Sequence, residues 1–333
     1  NENKIEASGV KVNNTKSVVE KNFARQKVPA TRAILKTTLA ELRGQRMEYQ
    51  NRITIPTSSV VGTRRILTVL VGFFNYPFTY NAANFDSIMN YVGYSGHGNA
   101  GSVRDYYFEN SYNQLTLQST VIGPFVAAHD TAYYRRPKGG VLGGHSRDLV
   151  REVIEYAKTQ NIDFSTFDGN NDGIVDCIHI VYAGNRYQTG GPGFIWPYHS
   201  NYDTTFVQNG KQITIADFIM TPEKLDRTYS SITSIGHVLG APDFYPIGNY
   251  SNYEDQLGTG IWDVMAAGSQ AFMIGAYPTH HNPYTKTAIF QWTNPVTIDS
   301  TETNTTYNIP TSSTNANAIY KIPTKTEGEY YLL

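Results

Sequence analysis

The sequence is poor in the features that mark several large classes of protein. It contains one cysteine, Cys177, in 333 residues, which excludes an internal disulfide framework. Its net charge is −1 and only 17% of its residues are charged, so no basic surface indicates nucleic-acid binding. No stretch approaches the roughly 20 consecutive apolar residues of a membrane-spanning helix. We therefore expect neither a nucleic-acid partner nor a membrane span.

Polar uncharged residues and tyrosine are abundant instead. The chain has 25 tyrosines and is rich in Asn, Thr, Ser and Gly, a composition that favours a secreted or cell-surface bacterial protein. The chain begins at Asn1 without a visible signal peptide, so this expectation rests on composition alone. Cys177 lies in an apolar run, which predicts a buried and inert thiol.

The hydrophobic pattern divides the chain into three parts. Residues 1–55 are polar, with helical spacing over about 31–48, and we interpret them as a pro-segment or N-terminal appendage; the alternative is a first helix of the main domain. Residues 56–292 alternate strands and helices, which predicts an α/β or α+β catalytic domain. Residues 293–333 are rich in Thr and Asn with short β runs, which predicts the start of a β-rich segment that is truncated in mid-strand.

The individual elements follow from residue spacing. Apolar or alternating runs predict strands at 64–74, 114–125, 173–184 and 211–222. Helical spacing predicts helices at 84–92, at 101–112 with Ser102 as the N-cap, at 146–160, and over the stretch "SSITSIGHVL" that ends at Gly240.

A first candidate metal site is the stretch "DGNNDGIVD", residues 168–176. Carboxylate and amide side chains at alternating positions supply the oxygen ligands that calcium prefers, and a glycine permits the sharp turn between them. The predicted ligands are Asp168, Asn170, Asp172, the backbone carbonyl of Ile174, and Asp176. The sequence therefore predicts a calcium loop.

This loop departs from the helix-loop-helix calcium pattern. Its twelfth position is His179 instead of Glu, and a predicted strand follows it. We therefore expect a calcium loop of another fold, with Asp163 as a further possible ligand. The alternative is an Asn/Gly turn that is closed by its own hydrogen bonds.

A second candidate site follows the predicted helix at "GHVLGAPDFY". His237 lies on the last turn of that helix, Gly240 can end the helix, and Asp243 can return to the side of the imidazole. Zinc accepts both imidazole and carboxylate ligands and keeps an open position for water in catalytic sites. Alone, this spacing is a weak pattern, because a single histidine on a helix is more often structural. A methionine, Met265, follows in the stretch "GIWDVMAAGS".

With these stretches the chain resembles the secreted bacterial zinc metallopeptidases of the immune inhibitor A type, within the metzincin-like group. The resemblance runs in order through "GTRRILTVLVGFFNYPF", "GSVRDYYFENSYNQLTL", "DGNNDGIVDCIHIVYAG", "FIWPYHS", "GHVLGAPDFY", "GIWDVMAAGS", "NPYTKTAIFQW" and "EYYLL". It implies a zinc endopeptidase domain with the ligand motif His-Glu-x-x-His-x-x-Gly-x-x-Asp, a methionine turn beneath the metal, structural calcium, and protein or peptide substrates.

The resemblance also assigns roles to individual residues. It implies His237 as the second zinc histidine, Gly240 as the turn glycine and Asp243 as the third ligand, with Asp263 as the reserve. It implies Met265 as the methionine of the turn. We also considered His199 and Tyr245 as substrate or transition-state contacts, although packing or surface positions are the simpler interpretation of both.

The first half of the zinc motif is missing. Without a gap, the first ligand falls on Thr233 and the general base on Ser234, and neither residue can perform that role. Our preferred hypothesis is that about six or seven residues are missing between Gly236 and His237, because the motif fits on either side of that junction. The alternative is a catalytically dead family member that binds peptide or glycan.

Overall fold

Helices alternate with the strands of a five-stranded sheet. The structure, a computed structural model, describes residues 56, 58–135, 145–185, 195, 197–223, 228–245, 258–270, 276–299 and 306–333. All of these lie within one unit, Arg43–Leu333. The helix predicted at 31–48 and the interpretation of residues 1–55 as a pro-segment lie outside the described residues.

The main elements alternate along the chain as the sequence pattern predicts. They are β1 (Gly62–Gly72), α1 (Ala82–Asn90), α2 (Val103–Asn110), β2 (Leu115–Val126), α3 (Thr131–Arg135), α4 (Ser146–Thr159), β3 (Cys177–Tyr182), β4 (Tyr198–Gln208), β5 (Lys211–Pro222) and α5 (Tyr229–Val238). The strand order is β2-β1-β3-β5-β4. The β4 strand is antiparallel to β5, while the other neighbours are parallel. The predicted mixed α/β fold is confirmed.

The sheet separates two apolar cores because successive side chains of a strand point to opposite faces. On the face that we call the α4 face, Leu67, Val69, Ile178, Ile180, Phe218 and Met220 pack with Leu149 and Val153 of α4. On the opposite face, the α5 face, Ile66, Cys177 and Ile219 pack with residues of α2 and α5 and with Met265. Cys177 is a buried free thiol, as predicted.

Local signals explain where two of the helices form. The Ser102 Oγ accepts a hydrogen bond from the Asp105 N at 3.1 Å, and the Asp105 carboxylate accepts one from the Ser102 N at 3.0 Å. This capping box begins α2 and confirms Ser102 as its N-cap. In α4 the buried residues include Leu149, Val150 and Val153, which lie on one side of the helix at the predicted spacing.

The structure departs from the predicted elements in three places, the first of which is the short helix α3, which the residue pattern does not predict. The polar stretch "YHSNYDTTFVQ" does not predict a strand, yet it forms β4. This strand lies at the edge of the sheet and is only partly buried. The β3 strand begins at Cys177 instead of residue 173, since the preceding residues belong to the loop 168–176.

The C-terminal part forms a separate small sheet. It consists of β6 (Val296–Thr297), β7 (Tyr320–Pro323) and β8 (Tyr330–Leu332), in the order β6-β7-β8. These strands agree with the predicted β character of residues 293–333, while the exact domain boundaries stay predictions. None of the helices in the described ranges is long and apolar enough to cross a membrane.

Candidate metal centre

The end of α5 places His237 and Asp243 on the same side of the chain. The Gly240 N donates to the His237 O at 2.9 Å, and the Ala241 N donates to the Gly236 O at 2.9 Å. This pair of bonds is a Schellman motif, which satisfies the last carbonyls of a helix. Gly240 has φ +102, a conformation that residues with a Cβ resist. The chain therefore reverses at Gly240, and Asp243 returns towards the helix.

The His237 imidazole is held in one orientation. Its Nδ1 lies 2.8 Å from the Ala241 carbonyl oxygen, so Nδ1 carries the proton and donates to that carbonyl. Its Nε2 lies 3.5 Å from the Asp243 Oδ1, and both side chains are largely buried. A hydrogen bond from one ring nitrogen to a carbonyl, with the other nitrogen available, is the arrangement that orients histidine ligands in metal sites.

Met265 lies beneath the last turns of α5. A Cβ at Gly236 would lie 2.7 Å from the Met265 Sδ, so the helix approaches the methionine this closely only because residue 236 is glycine. The Phe244 N donates to the Met265 O at 3.1 Å, which ties the segment that carries Asp243 to the turn that contains Met265. We call residues 263–265 the Met265 turn.

Asp263, the reserve ligand, is engaged within the Met265 turn. Its Oδ1 accepts a hydrogen bond from the Met265 N at 3.0 Å, and its Oδ2 accepts hydrogen bonds from Thr259 and Asn282. The carboxylate is buried, and this burial raises its pKa. Asp263 therefore closes the turn, and the geometry favours Asp243 over Asp263 as the carboxylate beside His237.

His199 and Tyr245 both lie near this pair. The His199 ring is stacked on the His237 ring with centroids 6.3 Å apart, and its Nε2 lies 3.0 Å from the Asp217 Oδ1. Burial lowers the pKa of His199, which Asp217 partly offsets. Tyr245 is partly buried, two residues after Asp243. The His199 ring is therefore a neighbour of the His237 ring.

The residues at the missing half of the motif do not supply its chemistry. In the present sequence, Gly236 and His237 are consecutive residues of one continuous helix, α5. Thr233 donates its hydroxyl to the Ser230 carbonyl at 3.2 Å, and Ser234 is buried. Within the described ranges, no group of three or more His, Cys, Asp or Glu is placed to hold a metal ion. His237 and Asp243 are of the side-chain types that zinc accepts, and the residues described around them supply neither a third protein ligand nor a general base.

The loop 168–176 is closed by its own hydrogen bonds. The Asp168 carboxylate accepts from the backbone N of Asp172 at 3.0 Å and of Gly173 at 2.9 Å. The Asn170 side chain donates to the Asp172 Oδ2 at 2.6 Å. The side chains of Asp168, Asn170 and Asp172 are therefore grouped on one loop, and Ile174 follows them with its side chain exposed.

Asp176 faces away from this group towards β1. Its Oδ2 accepts hydrogen bonds from the Arg65 N at 2.7 Å and the Gly169 N at 2.8 Å, and its Oδ1 lies 3.6 Å from the Arg64 Nε. Burial raises the pKa of Asp176 despite these partners. Asp163 instead accepts from the N and Oγ of Ser165. Asp176 and Asp163 thus have structural partners of their own.

Sequence reasoning missed one buried histidine near the site. His281 is 2% exposed, and its ring lies among Tyr106, Tyr107 and Phe290. Neither ring nitrogen has a hydrogen-bond partner among the described residues, and burial lowers its pKa strongly. The adjacent pair in "PTHHNPY" is the sequence feature that could have drawn attention to it.

Comparisons with known proteins identify the family of the chain. Residues 74–293 match the family model described as immune inhibitor A peptidase M6, catalytic domain. The proteins called pre-pro-metalloprotease PrtV in two strains of Vibrio cholerae serotype O1 are 27% identical to this chain over 232 residues, which cover 60% of this chain and 25% of each relative. The chain thus spans about a quarter of the length of these curated relatives. The chain belongs to the immune inhibitor A peptidase M6 family.

Proposed function

We propose that this chain contains the catalytic domain of a secreted zinc-dependent endopeptidase that hydrolyses proteins or peptides. The observation that carries the proposal is the approach of His237 and Asp243 to within 3.5 Å above Met265, in a chain of a peptidase family. The name metalloprotease of its relatives supports the same chemistry.

The residues present would perform part of this function. The bond from the His237 Nδ1 to the Ala241 carbonyl directs Nε2 towards the Asp243 carboxylate, 3.5 Å away, so these two side chains would hold the metal from the same side. Zinc at such a position polarises the scissile carbonyl and makes a bound water more acidic. Because Thr233 and Ser234 can neither complete the ligand set nor act as a base near neutral pH, we assign no proton-transfer step to the residues of this sequence.

We therefore propose that the natural chain carries about six or seven further residues between Gly236 and His237, including a histidine and a glutamate. A true deletion would remove about two turns from a helix of the core, and α5 packs in that core through Ile232 and Ile235. Mass spectrometry of the proteolytic peptide that spans the junction tests this directly. A peptide with the mass of the present sequence would refute the proposal.

Metal content and proteolysis test the function itself. We expect the natural protein, with the proposed residues between Gly236 and His237, to retain about one zinc per chain after dialysis and to cleave casein. His237→Ala should lose both, whereas His129→Ala, which changes an exposed histidine outside the site, should lose neither. A wild-type protein that binds no zinc would overturn the proposal.

The second candidate function is a binding protein that has lost catalysis. The observation in its favour is the presence of Thr233 and Ser234 where the motif requires histidine and glutamate. It would bind peptide or glycan without cleaving it. A junction peptide of the present mass, together with casein that stays intact, would favour this candidate.

We further propose that the loop 168–176 binds calcium through Asp168, Asn170, Asp172 and the Ile174 carbonyl, with Asp176 as an additional ligand after rotation. The grouping of the first three side chains supports this, because calcium takes six to eight oxygen ligands on such loops. The present bonds of Asp176 to the Arg65 N and Gly169 N are those that the rotation would break.

A further inference from the structure

Outside the metal centre, the chain buries a lysine. Lys286 lies in a π-helical turn, Thr285–Ile289, and is 2% exposed. Its Nζ is 3.1 Å from the His280 Nδ1 and 3.4 Å from the Tyr112 Oη, and it lies 4.6 Å from the centroid of the Tyr112 ring. A lysine is almost never buried without partners, so the burial of Lys286 depends on these contacts.

The contacts define where the protons lie. The His280 Nε2 is 2.9 Å from the Glu109 Oε1, and a carboxylate only accepts hydrogen bonds, so Nε2 carries a proton. The His280 Nδ1 and the Lys286 Nζ can then hold one shared proton between them. A second proton would place a positive charge on the partly exposed His280, 3.1 Å from the ammonium of the buried Lys286. The contact between His280 and Lys286 therefore disfavours a second proton.

This chain is joined to the Met265 turn through the backbone. The Val264 N donates to the His280 O at 3.2 Å, the Tyr106 Oη donates to the Thr279 O at 2.8 Å, and the Asn282 side chain donates to the Asp263 carboxylate. The segment 279–282 thus connects α2 to the Met265 turn, and the turn supports α5 at Gly236, next to His237.

We propose that His280 and Lys286 are positioning residues that hold the Met265 turn under His237, and that a second proton on their shared contact releases it. The proposal rests on the proposed metal centre for its functional meaning, but the linkage itself concerns only this chain's own residues. Acidification should therefore loosen the floor of the site before the whole domain unfolds.

The charged and titratable groups around this contact agree with such a release. Glu109 faces His280 from α2, Tyr112 covers Lys286, and Tyr106 and His281 lie nearby as largely neutral groups. Burial lowers the pKa of Lys286 to about 8, which Glu109 partly offsets, and the hydrogen bond from His280 lowers the pKa of Glu109. Glu109 is thus the negative group that compensates the single shared proton, and no acidic group in the described contacts compensates a second one.

Trp292 offers a direct probe of the release. Its N donates to the Lys286 O at 2.8 Å, its Nε1 donates to the Val60 O at 2.7 Å, and its ring is buried against Phe290. In a variant that carries Trp196→Phe and Trp262→Phe, it is the only tryptophan of the three. Its emission can be followed as the pH falls from about 8 to about 5.

We expect a red shift of the Trp292 emission in this background, with zinc affinity falling over the same pH range. Lys286→Met removes one of the two positive charges. His280→Gln keeps the same hydrogen bonds but cannot take up a proton. Each variant should therefore abolish the transition or move its midpoint by about one pH unit or more. Lys158→Met, which removes a surface lysine paired with Glu155, should leave the midpoint unchanged.

Two results would overturn the inference. One is the absence of a fluorescence transition in the Trp196→Phe, Trp262→Phe background with His280 and Lys286 unchanged; the other is a transition with the same midpoint in the His280→Gln and Lys286→Met variants of that background. Because the emission of Trp292 needs neither zinc nor catalysis, a protein that shows the transition but binds no zinc would refute the proposed function and leave this linkage intact.

Discussion

The two faces of the sheet differ in the polarity of the residues that they bury. On the α4 face, an amphipathic helix covers apolar strand residues such as Leu67 and Ile178. On the α5 face, the core also contains buried polar groups: His281, Asp263 and Lys286 are each 2% exposed or less. Burying polar groups costs free energy unless they are hydrogen-bonded. Asp263 and Lys286 have hydrogen-bond partners, so this cost falls on His281, whose ring nitrogens have none among the described residues.

The distribution of unsatisfied groups shows the same contrast. Both ring nitrogens of His281 and the hydroxyls of Thr279 and Thr285 are buried without a hydrogen-bond partner in the described ranges. They lie in the segment behind the Met265 turn, on the side of the candidate metal centre. Buried groups of this kind are rare in folded proteins and are often found at functional sites. The comparison teaches that the α4 face is a continuous apolar core, whereas the α5 face combines an apolar core with buried polar groups beside the candidate metal centre.

The largest effect is expected on the α4 face. Leu149 is fully buried in α4, and Leu149→Ala removes apolar contacts and leaves a cavity, so it should lower the free energy of unfolding by about 2–5 kcal/mol. Urea unfolding measures this change, with the exposed Val207 replaced by Ala as the control. An effect equal to that of the control would contradict the role of the α4 face as a stabilising core.

The loop 168–176 also belongs to the α4 face, because Phe164, Phe167 and Val175 around it pack in that core. If the loop binds calcium, a concentration of about 100 times the dissociation constant should stabilise the domain by about 2.7 kcal/mol. Asp172→Asn should reduce this gain, whereas Asp203→Asn at an exposed position should keep it. Thermal unfolding with calcium and with a chelator measures it; equal curves would identify the loop as a self-closed turn.

The pH dependence of the free energy of unfolding at alkaline pH should come from Lys286 on the α5 face. Burial lowers the pKa of Lys286 to about 8, below its value of about 10.4 in an unfolded chain. Between these values the unfolded state binds more protons than the folded state, so stability rises with pH. From about pH 8 to pH 10 the gain should be about 2 kcal/mol relative to Lys286→Met. Urea unfolding at both values measures it, and parallel curves for the two proteins would contradict it.

The smallest effect is expected at His281. His281→Phe removes two unsatisfied ring nitrogens from an aromatic environment, and it should raise the free energy of unfolding by about 1 kcal/mol. The same thermal unfolding assay measures it. A loss of stability would indicate that the natural chain provides a hydrogen-bond partner for His281, which would support the proposed additional residues before His237.

Much of the fold could be predicted because it follows local rules. The capping box at Ser102, the apolar stripe of α4 and the buried run of β3 each depend on residues close in sequence. The edge strand β4 could not be predicted, since its residues are polar and its pairing partner β5 supplies the order. A strand of this kind forms because of its neighbour and not because of its own pattern.

The candidate metal centre divides in the same way. The spacing of His237, Gly240 and Asp243 predicted a turn that brings two ligands together, because a glycine after a helix imposes a local reversal. The sequence also ranked Asp243 ahead of Asp263 as the carboxylate ligand. What it did not show is that Thr259 and Asn282 engage Asp263, because they approach it only in the folded chain.

The sequence by itself determined the alternation of strands and helices, the helix end at Gly240 and the chemistry missing at Thr233 and Ser234, since each depends on residue type and short spacing. Tertiary structure alone decided that Thr259 and Asn282 engage Asp263, that Asp176 turns to Arg65, and that Lys286 meets His280. These contacts join elements distant in sequence, and their energies depend on burial, which exists only once the two faces have packed.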